Sequence, residues 1–124
     1  MIQAEVKRLH SPDVYDLATY VPDDPENFAF LLQVMVGSAG ADGEDSFDVI
    51  VCTPRWLSDR LLPTKIMLGR HHLLVKQYDY TRLLQFLISF ASGCRGATWE
   101  EVALRLGRLG KWEFEDYREL EDRR

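Results

Sequence analysis

The adjacent pair His71-His72 is the first place to look for chemistry in this chain. Imidazoles ligate zinc and carry protons near neutral pH. A zinc site gathers three or four ligands at recognisable spacing, and the remaining histidine, His10, is distant in sequence. Neighbours on a strand point to opposite faces, so His71 and His72 are not expected to share an ion. Cys52 with His71 or His72 would make a thiol–imidazole couple for nucleophilic catalysis. Cys52, however, sits in the apolar run VIVCT, where a cysteine acts as a small buried hydrophobe. Cys94 lies beside Gly93 and Arg95, and a neighbouring cation favours the reactive thiolate. Two cysteines make no disulfide framework, which fits a reducing cytosol. The stretch GSAGADG has the glycines of a phosphate loop but no following lysine or helix start, and its acid would repel phosphate. DGEDSFD matches a calcium loop only in part, because the terminal glutamate is missing. No catalytic residue, no metal ligand set and no cofactor site is expected.

Charge is organised where chemistry is sparse. The net charge is −5 over 124 residues, which disfavours a nucleic-acid binder. Residues 11–48 hold Asp13, Asp16, Asp23, Asp24, Glu26, Asp42, Glu44, Asp45 and Asp48 without one Lys or Arg. Residues 49–111 are net basic, and the chain turns acidic again with Glu113, Glu115 and Asp116. Acids confined to connections either face solvent or present a field to a basic partner. The candidate contact residues are therefore Asp13, Asp16, Asp23, Asp24, Glu26, Asp42, Glu44, Asp45, Glu113, Glu115 and Asp116, with Tyr15, Tyr20 and Phe47 as aromatic anchors.

The elements that would carry these residues follow from periodicity. Ile2, Ala4 and Val6 alternate with polar residues, as in a half-buried strand that Ser11-Pro12-Asp13 stops. Residues 13–27 form a long acidic connection with one turn around Val14–Tyr20. FAFLLQVMVG, from Phe28, and FDVIVCT, from Phe47, read as strands joined in a hairpin by the glycine-rich residues 38–46. Thr53-Pro54 starts a short helix that Pro63 should end. Leu73–Val75 read as a strand. Asp79 opens a helix whose apolar residues occupy more than one face, so it should be largely buried. Thr98 and Glu101 form a capping box for a last helix, broken by Gly107 and Gly110. Trp56 and Trp99 are expected to be mostly buried. No apolar run is long enough to span a membrane, and MIQAEVKRLH is not a secretory signal. Irregular alternation of strands and helices predicts a single α+β domain over 1–124, an antiparallel sheet of about four strands covered by two to three helices.

Several segments resemble the immunity protein 8 family of bacterial polymorphic-toxin systems. They are F-x-F at Phe28 and Phe30, S-F-D-V at Ser46–Val49, C-T-P-R-W-L at Cys52–Leu57, T-W-E-E from Thr98 and W-E-F-E-D-Y at Trp112–Tyr117. The resemblance implies a non-enzymatic, cytoplasmic protein that binds and neutralises the C-terminal domain of a cognate toxin, including toxins of contact-dependent inhibition systems. It implies no cofactor, no nucleic acid and no membrane partner, and it carries no binding residues across. An acidic inhibitor suits a basic toxin such as a nuclease. The alternatives are a protein-binding adaptor and, less favoured, a Cys/His-dependent enzyme.

Overall fold

Alternation at the N-terminus yields β1 (Ile2–His10), which turns Ala4 into the core. A computed structural model describes residues 1–115 of the chain. β2 (Ala29–Ser38) and β3 (Asp45–Cys52) form the expected hairpin, in register from Ala29 against Cys52 to Val36 against Asp45. Gly40 and Gly43 adopt positive φ at the turn, the conformation glycine tolerates best. β1 pairs antiparallel with β2, with a bulge between Val6 and Arg8.

Thr53 caps α1 (Pro54–Thr64), its side chain accepting from the Trp56 amide. Pro63 does not end this helix but sits in its last turn. Termination comes two residues later, where Lys65 takes the left-handed φ of 66°. The chain then returns as β4 (His72–Leu74), which pairs with β3 in parallel. α2 (Tyr80–Ser92) is capped by Asp79. β5 (Arg95–Gly96) adds to β1, α3 (Trp99–Leu106) follows its Thr98 cap, and β6 (Lys111–Trp112) pairs with β3 beside Phe47 and Asp48. The strand order is β4-β3-β2-β1-β5, with β6 on β3. The α+β expectation holds. The sheet is mixed rather than wholly antiparallel, because α1 acts as a crossover between β3 and β4.

One face of the sheet makes the core. Phe30, Leu32, Val34 and Val36 of β2 and Phe47, Val49 and Val51 of β3 share one cluster with Leu83, Leu87 and Ala91 of α2 and with Val102, Ala103 and Leu106 of α3. α2 buries only this i, i+4, i+8 stripe, and Phe86 and Ile88 stay about half exposed. The sheet offers one layer, so the second apolar face of α2 is only partly covered, Phe86 stacking on Phe90 at 6.4 Å. Trp56 and Trp99 are half-buried rather than fully enclosed. No described helix is long and apolar enough to cross a membrane.

Candidate functional site

The loop between β1 and β2 is long, acidic and firmly pinned. Val14 is buried, and Leu17 and Tyr20 pack against the core. Tyr20 meets Phe28, Phe30 and Tyr78 edge-on, with ring centroids 5.1 to 6.3 Å apart. The Tyr78 hydroxyl donates to the Leu17 carbonyl at 2.5 Å. Burial, helped by the negative charge of nearby Tyr80, Tyr20 and Asp16, pushes the Tyr78 phenol up to about 12. The phenol therefore keeps its proton and its donor role at neutral pH.

The loop's own carboxylates tie the backbone. Asp13 Oδ2 accepts from the Leu31 amide at 2.8 Å, Asp16 Oδ1 from Ala18 at 3.0 Å and Asp24 Oδ1 from Glu26 at 2.9 Å. Asn27 Nδ2 donates to Asp59 Oδ2 at 2.9 Å, and the Phe28 amide donates to Thr53 Oγ1 at 3.2 Å. Such side-chain bonds to neighbouring amides hold a turn without a helix or strand. Asp13, Asp16, Asp23, Asp24 and Glu26 all remain exposed, and none enters an ion pair among the described residues. Tyr15 and Val21 stand out from the same loop, Tyr15 fully and Val21 at 81% exposure.

The other candidate acids lie at the opposite end of the sheet. β2 runs ten residues between the two groups, about 30 Å of strand. There the carboxylates are mostly engaged within the fold. Glu44 pairs with Arg8 at 2.7 Å and Glu115 with Arg70 at 2.9 Å. Glu113 Oε1 accepts from the Ser46 amide at 2.8 Å. Asp45 Oδ2 accepts both indole N–H groups of Trp99 and Trp112, at 2.7 and 3.0 Å. Asp42 is exposed on the turn, and Asp116 lies outside the described residues. Of the three aromatic candidates, Tyr15 is free, Tyr20 is an internal pin and Phe47 is fully buried core. Sequence reasoning missed Val21 and the pinning role of Tyr78. The tyrosine had a signal in its place between a strand and the Asp79 cap, but its partner in the loop is far away in sequence.

The chemistry candidates are dispersed. His71 Nε2–H donates to the Gly107 carbonyl at 2.9 Å, whereas the His72 ring lies 6.5 Å from that of Trp56 on α1. His10 bonds Gln33 at 2.7 Å. Cys52 is fully buried, and burial pushes its thiol up, away from the thiolate. Burial also raises the Cys94 thiol, against a smaller opposite pull from Arg105 and Arg108. Its Sγ–H donates to the Phe90 carbonyl at 3.4 Å. Among the described residues no three His, Cys, Asp or Glu side chains are grouped to hold a metal ion. A surface groove of about 500 Å³ between β4 and α2 is lined by Leu73, Leu74, Val75, Tyr78 and Phe86 among others, with no cysteine or histidine.

Comparison with known proteins finds one family. The model described as Immunity protein 8 matches residues 4–117. No curated protein and no solved structure matches the chain.

Proposed function

The chain belongs to the immunity protein 8 family, and on that premise we propose that it neutralises a cognate toxin by binding the toxin's C-terminal domain in the cytoplasm of the cell that makes both. The toxin is of the contact-dependent inhibition type, and its binding face is basic, as a nuclease requires for its own substrate. Protection is stoichiometric, not catalytic. The observation that carries the placement is the pinned loop 13–26. It holds five exposed carboxylates that enter no ion pair among the described residues, and presents Tyr15 and Val21 among them. Loops fixed on a rigid scaffold concentrate binding residues, and a loop ordered beforehand loses little entropy on docking. Complementary charge speeds the encounter, and a few desolvated anchors hold the complex. The second acidic group, Asp42, Glu44, Asp45, Glu113 and Glu115, would extend the face only at its far edge.

The test is association with the toxin domain encoded beside this chain. For Asp23→Lys/Asp24→Lys, the on-rate should fall at least about tenfold at low salt, and the difference should shrink as salt rises. Toxin inhibition should saturate at one chain per toxin. An unchanged on-rate in the folded double variant would move the interface off this loop. Full protection at well below equimolar chain would replace binding with turnover.

A further inference from the structure

β4 is an edge strand with half of its backbone unused. It ends the strand order on one side, next to β3. The Ile50 amide donates to the His71 carbonyl and the Val75 amide to the Cys52 carbonyl, both at 2.9 Å. His71, Leu73 and Val75 thus turn their peptide groups to β3, and alternation along a strand turns those of His72 and Leu74 the other way. The His72 amide is taken by the Gly69 carbonyl at 3.3 Å. The His72 carbonyl and the N–H and C=O of Leu74 lie on the open edge, unpaired among the described residues.

That edge opens onto a groove. α2 and α3 lie chiefly over β1 and β5, away from β4. The space left, about 500 Å³, has residues 73–79 as one wall and Arg82, Leu83 and Phe86 of α2 as the other. Leu73, Val75 and Tyr78 pack against the core, so the floor is apolar, and Phe86 is 49% exposed beside it. The charged lining is Lys76, Asp79 and Arg82. Asp79 is engaged: Oδ1 caps α2 at the Arg82 amide, and Oδ2 lies 3.5 Å from Arg82 Nε. The Arg82 side chain remains 86% exposed, and Lys76 enters no ion pair among the described residues.

These features select an occupant. Free hydrogen-bonding groups on a sheet edge take another strand, with backbone bonds for affinity and alternate side chains for specificity. The apolar floor takes apolar side chains, and the two cations take carboxylates beside them. We propose that β4 and this groove dock an extended segment of an acidic partner protein, one that alternates apolar residues with Asp or Glu. A second copy of this chain fits poorly. Two-fold pairing of β4 edges would bring Lys76 and Arg82 of both copies to one seam, and a short edge carrying a lysine is a device by which sheets deter self-pairing. An anionic lipid surface would suit the cations but would bury the Leu74 peptide groups without hydrogen-bond partners. The groove attracts carboxylates where loop 13–26 attracts cations, so this surface goes beyond the toxin reading and does not depend on it.

The probe is a blocked synthetic peptide of about seven residues, the length of one strand, alternating Val and Glu. It is titrated without toxin into the isotope-labelled full chain, and amide NMR shifts give the affinity. Shifts should centre on Leu74, Lys76 and Phe86, and the Leu74 amide should gain at least about tenfold protection from hydrogen exchange. Lys76→Glu/Arg82→Glu should weaken binding at least about tenfold, and a peptide with Lys in place of Glu should bind that variant better than it binds the wild type. Leu74→Pro removes an outward N–H, a change an edge strand tolerates, and should abolish binding while the Ile50 and Val75 amides stay protected. If that variant does not fold, Phe86→Ser on the exposed flank of α2 decides, with a loss of at least about tenfold expected. The proposal is overturned by the absence of groove shifts at about 1 mM peptide, by equal binding of the Glu and Lys peptides to the wild type, or by affinity unchanged in these variants. It is also overturned if the peptide does not bind and phosphatidylserine vesicles capture the wild type but not Lys76→Glu/Arg82→Glu.

Discussion

Asp45 is the sharpest place to perturb the fold. One carboxylate oxygen accepts two indole N–H groups, from the first turn of α3 and from β6. It therefore ties three segments that the chain visits far apart. A hydrogen bond to a charged group contributes about 1.5–3 kcal/mol. Trp99 and Trp112 are half-buried, so their freed N–H groups would recover part of that from water. Taking the low end for each bond, Asp45→Ala should cost about 3 kcal/mol, a large share of the 5–15 kcal/mol typical of a domain. At about 3–5 °C per kcal/mol for a chain of this size, the thermal midpoint should drop by about 10 °C. Asp45→Asn keeps a carbonyl acceptor and loses only the charge, so about half that loss is expected. Thermal unfolding by circular dichroism measures both. Two of the chain's three tryptophans sit on this oxygen, so the emission spectrum should change in Asp45→Ala before unfolding begins. A midpoint within about 2 °C of wild type for Asp45→Ala, or equal losses in Ala and Asn, would refute the clamp.

Three further outcomes are expected. A Cβ on Gly37 would lie 2.1 Å from the Gly43 carbonyl oxygen, and backbone cannot move aside cheaply; Gly37→Ala should cost at least about 2 kcal/mol in urea unfolding. Thr98→Ala removes the bond to the Glu101 amide and should cost about 1 kcal/mol by the same measurement, while Glu101 Oε2 continues to hold the Ala97 amide. Tyr78 releases its proton near 10.0 when unfolded and near 12 when folded, so the folded state binds the extra proton between those values. Stability should therefore decline as pH rises from 10.0 toward 12, and Tyr78→Phe, at a cost of about 1 kcal/mol at neutral pH, should flatten that decline in denaturant titrations.

Local chemistry was legible in the sequence, and distant pairing was not. The Thr53, Asp79 and Thr98 caps were readable because a cap acts within three residues of itself. The β2–β3 hairpin was readable from two apolar runs around glycines. β5 and β6 have two residues each, too few for any period, and only their partners on β1 and β3 define them. β4 was legible as a strand, but its parallel pairing was hidden for a related reason: α1 was visible, and its role as a crossover depends on which strand receives the returning chain. At the candidate site, the acidic block from Asp13 to Asp48 was visible as composition. Its division into exposed carboxylates with no ion pair among the described residues at one end and engaged ones at the other depends on Arg8, Trp99 and Trp112, brought in from elsewhere. Trp56 and α2 looked buried because apolar residues signal a preference for cover, not the presence of it.

The pairing of β6 with β3 also sets a clock on folding. Phe47 and Asp48 leave the ribosome early, but their partners Trp112 and Lys111 are added much later. At about 5–20 residues per second, the interval is on the order of several seconds. Until it closes, the first half of β3 is an open edge, the kind that pairs with stray strands. Asp45 likewise waits for both of its indoles. A newly made chain thus completes the pairing of β3 only after residue 112 has been translated, and a message cut short before that codon yields a nascent chain left with that edge open.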